Sequence, residues 1–192
     1  MMIFDKMKQD IMDDPMNESY TIRGIPPLFK ASIDARIVIV GQAPGQKAEA
    51  TRLFWNDVSG DRLREWLGIS REIFYSTNRI AHLPMDFYYP GKAKTGDAPP
   101  RKGFAEKWHP SLLEEMPHVK TMILIGSYAQ EYYLNKRREK NLTETVRNFH
   151  KYQPEYFPLV HPSPLNLGWL KRNPWFEQEV LPMLKDIVGR NL

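Results

Sequence analysis

One stretch, Arg36 to Gly45 (RIVIVGQAPG), restricts the possible fold more than any other. Ile37, Val38, Ile39 and Val40 are β-branched, stiff at χ1 and favourable in extended backbone. An apolar run with no polar alternation suits a strand covered on both faces. The run stops at Gly41, and Pro44 and Gly45 close a constrained turn. In an open α/β sheet the residues just past the carboxyl end of a central strand face the binding crevice, so this turn fits a ligand wall as well as a plain connection.

The rest of the chain supplies partners for such a strand. Ile73–Tyr75 reads as a second strand ending in Ser76, Thr77 and Asn78, Thr121–Ile125 as a third, and Tyr156–Val160 as a fourth that stops at HPSPLN, His161 to Asn166. Between them, Leu63, Trp66 and Leu67 share one helical face, with Ser59 or Asp61 to cap the start and Gly68 to end it. Leu112–Met116 reads as a short helix and Gly126–Leu134 as the helix leaving the third strand. Asn173 is placed to cap a last helix with Pro174 and Glu177 in its first turn and Trp175, Phe176, Val180, Leu184 and Val188 facing a core. Upstream, Ile3, Phe4, Met7 and Ile11 have helical spacing, RGIPP at 23–27 breaks regular structure, and Leu28 and Phe29 are expected beneath the sheet. Strands alternating with helices predict one domain over 1–192: a three-layer α/β/α sandwich with a mostly parallel four-stranded sheet, and residues 1–30 as an N-terminal helix and extension.

Composition narrows the chemistry. There is no cysteine, which excludes disulfides, thiolate-held zinc or iron–sulfur clusters, and a thiol nucleophile. No apolar segment approaches the roughly 20 residues needed to span a bilayer, and Asp5, Asp10, Asp13 and Asp14 do not suit a signal peptide, so a cytoplasmic protein off the membrane is expected. Net charge is +4, but residues 1–20 carry −3 and the remainder +7. A basic body fits a polyanionic partner, and it also fits an ordinary solvated surface. Tyr88–Gly103, with three glycines, Pro90, Pro99 and Pro100, is too long for a simple connection. Basic residues and aromatic rings mingle in and after it, a mixture that nucleic-acid surfaces use. KRREK at 136–140 reads either as a phosphate contact or as a solvated helix end.

Three of the predicted strand ends are polar turns, and a parallel sheet brings such ends to one edge. GQAPG, the Phe54–Asp61 segment, Ser76–Asn78 and HPSPLN, in that order, resemble the motifs of the uracil-DNA glycosylase superfamily, over roughly Ala35 to Asn166. GQAPG is similar to the GEAPG and GLAPA turns of the thermostable branches. The resemblance implies hydrolysis of the N-glycosidic bond of uracil, or a related deaminated base, flipped out of DNA during base excision repair. It implies a monomer that needs DNA carrying such a base, and no metal or other cofactor. By the same likeness Phe54 stacks on the base and Asn78 reads its edge, an amide being able to match O4 and N3–H together. Gly41 and Gln42 form a wall of the base pocket, and His161 donates to O2 as the base becomes anionic. Gly45, Ser163 and Asn166 meet the DNA backbone, and Leu165 either wedges into the space the base vacates or packs as an ordinary apolar residue.

Two departures stand out. The thermostable branches hold an iron–sulfur cluster on four cysteines, and none is present. Their water-activating acid falls at one of two positions that here are Gln42 and Ala43, neither acidic. A GLAPA branch draws its acid from a later FTGD-like segment, which FWND at 54–57 resembles. Asp57 is thus the first candidate for a catalytic carboxylate and Asp61 the second, although both also suit helix capping. His82 and Asp86 are further substitutes. Gln42 can orient water without accepting its proton. The sequence accordingly supports two readings, an active glycosylase and a catalytically weak or inactive uracil- or DNA-binding member of the same superfamily. A nucleotide-binding domain of another class is disfavoured because GQAPG has neither a P-loop ending nor GxGxxG.

Overall fold

A computed structural model describes residues 3–192. In chain order the elements are α1 (Ile3–Asp13), α2 (Glu18–Ile22), β1 (Ile37–Val40), α3 (Gln46–Thr51), α4 (Val58–Leu67), α5 (Arg71–Ser76), β2 (Ile80–His82), α6 (Phe104–Glu114), β3 (Thr121–Ile125), α7 (Gly126–Leu134), α8 (Leu142–Arg147), β4 (Tyr156–Leu159), α9 (Leu167–Arg172) and α10 (Leu181–Asn191). The strands pair in parallel in the order β2-β1-β3-β4. The expected α/β/α sandwich with a parallel four-stranded sheet is therefore observed.

Alternation of side chains across the pleat builds two cores from one sheet. Ile37, Ile39, Ile123, Ile125, Phe157 and Leu159 face one side, where Leu63, Trp66 and Leu67 of α4 and Leu181, Leu184 and Val188 of α10 cover them. Val38, Val40, Met122 and Leu124 face the other, under Ile11 of α1, Phe104 and Leu112 of α6, and Ala129 and Leu134 of α7. β1 is buried along its whole length because both faces are covered, which is what its unbroken apolar run requires. Phe29 joins the second side as expected, stacking on Phe87 at 4.8 Å, and Leu28 beside it is buried. Among the described residues no helix is long and apolar enough to cross a membrane.

Several local expectations are corrected. Ile73–Tyr75 is not a strand: it lies in α5, whose N-cap is Ser70, the hydroxyl accepting from the Ile73 N–H at 3.1 Å. Only Phe74 of that trio is fully buried, so one helical face serves the core better than an alternating strand would. The second strand begins later, at Ile80. The α4 cap is Asp57 rather than Ser59 or Asp61. The predicted short helix at 112–116 is the end of the longer α6, which runs through Pro110, a residue that argues locally against a helix. Asn173 does not cap with its side chain; its Nδ2 donates to the Trp169 carbonyl, and a wide turn at Phe176–Val180 leads into α10. The Met1 and Met2 end of the predicted N-terminal helix lies outside the described residues.

The segment after β2 is fixed by a buried ion pair. Asp86 is fully buried and Arg101 largely so, with Nε to Oδ2 at 2.7 Å and Nη2 to Oδ1 at 2.9 Å. The backbone N–H groups of Tyr88 and Arg101 also donate to the carboxylate. Arg101 Nη1 reaches the Met16 carbonyl, and its guanidinium lies over the rings of Tyr20, Tyr88 and Phe104. Removing one partner strands a buried charge, so Arg101→Ala is expected to cost about 3–5 kcal/mol, whereas Asp86→Leu with Arg101→Met recovers much of that loss. Urea midpoints of the two variants check this.

Candidate functional site

β1 leads to β2 on one side, while β3 pairs on its other side, so the chain direction across the sheet reverses between β1 and β3. A crevice opens at such a switch point, beyond the carboxyl ends of the strands. There a cavity of about 300 Å³ is lined by Gln42 after β1, Gly126, Ser127 and Tyr128 after β3, Thr143 of α8, His161 and Asn166 after β4, and Trp169 of α9.

Each wall has a local cause. Gly41 follows β1 directly, and a Cβ there would come within 3.0 Å of the Trp55 ring. Trp55 adopts a left-handed backbone (φ 54°), and its carbonyl accepts from Arg64 Nη1 at 3.1 Å and Tyr75 Oη at 3.2 Å. Its indole then lies 5.6 Å from the His161 ring, bridging the turns after β1 and β4. Gly60 makes this possible: a Cβ on it would lie 1.8 Å from the Trp55 carbonyl oxygen.

The loop after β4 is held from two sides. Arg62 Nη1 donates to the Ser163 carbonyl at 3.1 Å, and Asn166 Nδ2 donates to the His161 carbonyl at 2.8 Å. Ser163 Oγ accepts from the Leu165 N–H at 3.2 Å and starts the short turn Pro164–Asn166. On that turn Leu165 is 92% exposed, a large apolar side chain set out in solvent. Burial pushes the His161 pKa below its ordinary value, with the charge of Asp57 opposing in part, so its imidazole is neutral near pH 7.

Of the residues singled out from sequence, Gln42, His161 and Asn166 share the cavity, Gly41 adjoins it, and Ser163 and Leu165 sit on its rim loop. Gln42 Nε2 donates to the Ala98 carbonyl at 3.0 Å, leaving Oε1 without a protein donor. Gly45 is the N-cap of α3. Asp57 is exposed and uses Oδ1 to accept from the Gly60 N–H at 2.8 Å, and Asp61 pairs with Arg64 at 2.6 Å.

Two placements differ from expectation. Asn78 precedes β2, and since Ile80 pairs in register with Ile37, Asn78 lies at the amino edge of the sheet, opposite Gly41 and His161. It cannot read a base in this cavity; the error follows from the misplaced second strand. Phe54 turns inward, with its ring 4.2 Å from that of His82 and 5.5 Å from Tyr75. The neighbouring ring, Trp55, is the one that reaches His161, while the aromatic side chains lining the cavity are Tyr128 and Trp169, and nothing in FWND distinguishes Phe54 from Trp55 before the backbone at Trp55 is known. Asp86 is spent on Arg101, and His82 is buried with neither ring nitrogen in hydrogen-bonding geometry. KRREK is partly neutralised, Arg137 pairing with Glu155 and Arg138 with Glu131. Among the described residues no group of three or more His, Asp or Glu is arranged to hold a metal.

Residues 28–185 match the family model of the uracil DNA glycosylase superfamily. A solved structure from Methanosarcina acetivorans, provisionally named a uracil DNA glycosylase, is similar at 15% identity and a TM-score of 0.48, covering 85% of this chain and 96% of that one.

Gly60→Ala is expected to displace Trp55 and destabilise the protein by about 1–3 kcal/mol, the cost of overpacking, with the loss visible in a urea titration and in the Trp fluorescence. Acid sensitivity follows from the buried histidines. Burial and the charge of Lys30 push His82 down to about 3, the Phe74 backbone offsetting a part, and burial pushes His109 down to about 4, opposed by its bond to the Pro84 carbonyl. Below the ordinary histidine value, about 6.5, the unfolded chain therefore binds protons that the folded chain refuses. Stability is expected to fall as pH drops from about 7 to 4, by about 1.4 kcal/mol per pH unit for each such histidine. Urea midpoints at pH 7 and pH 5 check the sign, and His82→Leu should flatten the dependence.

Proposed function

The chain belongs to the uracil DNA glycosylase superfamily, and from that premise we propose that it hydrolyses the N-glycosidic bond of uracil, or of a related deaminated base, turned out of DNA. The observation that carries this reading is His161: a half-buried, neutral imidazole beside Trp55 that shares a cavity at the sheet's switch point with the Gln42 amide. Breaking the bond leaves positive charge on the sugar and negative charge on the base. A neutral imidazole N–H aimed at the base oxygen that gains charge stabilises the second without adding a proton. Gln42 Oε1 and Asn166 Oδ1 supply acceptors for the base edge and for a water. Extruding the base costs a few kcal/mol, and Leu165 is suited to fill the gap it leaves. Asp57 acts on His161 through its field, and its carboxylate is mainly a helix cap.

Lys92, Lys94 and Lys102 are exposed on the long loop, and Lys171 and Arg172 end α9 just past the Leu165 turn, which suits a phosphate backbone crossing the cavity mouth. A second reading, a member that binds such DNA and does not cleave it, is favoured by Gln42 and Ala43 standing where an acid is expected.

Oligonucleotides carrying uracil, hypoxanthine or xanthine, single- and double-stranded, separate the two. Release of free base leaving alkali-labile sites supports cleavage; tight binding with no product supports the second reading. For an active protein, His161→Ala is expected to lower the single-turnover rate by about 10²–10³-fold, as loss of an oxyanion-stabilising donor does. Leu165→Ala should weaken action on duplex more than on single-stranded substrate.

A further inference from the structure

Cleavage by water needs a base for the proton the water gives up, and the turn after β1 has none of its own: Gln42 and Ala43 cannot accept it. A carboxylate nevertheless reaches that turn from elsewhere in the chain. The long segment between β2 and α6 folds back on itself, with Lys92 bridged antiparallel to Asp97, the Ala98 N–H donating to Gly91 at 2.8 Å and the Ala93 N–H to Gly96 at 3.1 Å. This small ribbon is pinned to the turn by the bond from Gln42 Nε2 to the Ala98 carbonyl. The pinning puts Asp97 Oδ2 over Gly45, 3.6 Å from where a Cβ on that glycine would stand.

The two oxygens of Asp97 have different surroundings. Oδ1 accepts from the Tyr89 hydroxyl at 3.3 Å, while Oδ2 has no protein donor and lies against the turn. Of the other acids nearby, Glu49 in the first turn of α3 keeps Oε2 buried and unpartnered inside the protein, whereas Asp97 is exposed, and the remaining three are committed. Asp57 caps α4 through Oδ1, Asp61 is drawn to Arg64, and Asp86 is closed off by Arg101 and two backbone amides. Asp97 is also exposed in the free protein, on the side where DNA would cover it and exclude bulk water.

We infer that Asp97 is the catalytic carboxylate of this site, a role that rests on the glycosylase reading above. Gln42 orients the water through Oε1, and Asp97 Oδ2 takes its proton as the C1′–O bond forms. The C1′–N1 bond breaks with its electron pair passing to the base, whose charge His161 stabilises. The products are the free base, which regains a proton from solvent, and an abasic sugar. The carboxylate absent from the first motif is thus delivered by the loop after β2, with Tyr89 as a positioning residue.

The test compares wild type, Asp97→Asn, Tyr89→Phe and Asp57→Asn in single-turnover release of uracil from a uracil oligonucleotide. Affinity is measured in parallel on a 2′-fluorinated deoxyuridine oligonucleotide, which resists cleavage. Asp97→Asn is expected to lower the rate by about 10²–10⁴-fold, the range for loss of a general base. Its affinity should stay within about threefold of wild type, marking loss confined to the transition state. Tyr89→Phe should show a smaller loss of rate, again with affinity within about threefold of wild type. An active wild type with Asp97→Asn within about threefold of it overturns the inference and leaves the glycosylase reading intact. So does a large loss confined to Asp57→Asn. A wild type that binds but releases no base overturns that reading, and the role of Asp97 with it.

Discussion

The ion pair between Asp86 and Arg101 holds together three parts of the molecule that share no secondary structure. Asp86 follows β2 and its backbone N–H pairs with the Gln42 carbonyl, so it is rooted beside the turn of β1. Arg101 closes the far end of the long loop and reaches back to Met16, between the N-terminal helices, and to Tyr20 of α2. A buried ion pair gains little over an apolar contact of equal size, because desolvation offsets most of the attraction. Its value here is geometric. With four N–H groups converging on one carboxylate, both ends of the loop are fixed at one point, and the ribbon at 91–98 has little choice of direction. Without that clamp, the bond from Gln42 to Ala98 would have to order the loop alone, against a backbone entropy of about 1–2 kcal/mol per residue.

The cavity depends in the same way on a short-range backbone choice. Trp55 enters the left-handed region, which disfavours any residue with a Cβ, and two donors on its carbonyl hold it there. Gly41 and Gly60 leave room on either side. Strain at one residue is thereby turned into a flat wall against His161, and the same step sends Phe54 inward to cover His82. Packing of α4 and placement of the site are one event.

What was legible in the sequence follows the range of the interactions involved. β1, β3, β4 and α7 could be read because apolar runs and bounding glycines are local signals, and the carboxyl-edge site followed from them. β2 could not: Ile-Ala-His carries little strand signal, and the β-branched Ile73 looked more extended than it is because the Ser70 cap outweighed its propensity. Misplacing that strand by a few residues moved Asn78 to the wrong edge of the sheet. In a parallel sheet a motif is on the binding side only if it follows its strand, so an error of half a dozen residues is an error of a whole sheet width. The choice between Phe54 and Trp55, and the approach of Asp97 to Gly45, rest on tertiary contacts that no residue pattern encodes.

The turn carrying Leu165 has a consequence for how the protein would meet its substrate. The turn is tied at both ends, by Arg62 and by Asn166, and begins on a serine cap, so the apolar tip is presented before anything binds. If DNA is the substrate, no loop has to become ordered at the encounter, and the cost of opening the helix falls on the nucleic acid. The site that yields first is then the one whose base is most weakly stacked and paired. On the glycosylase reading proposed above, a fixed apolar tip would make the mechanical weakness of the duplex the first filter during a search, applied before any hydrogen bond in the cavity examines what the base is.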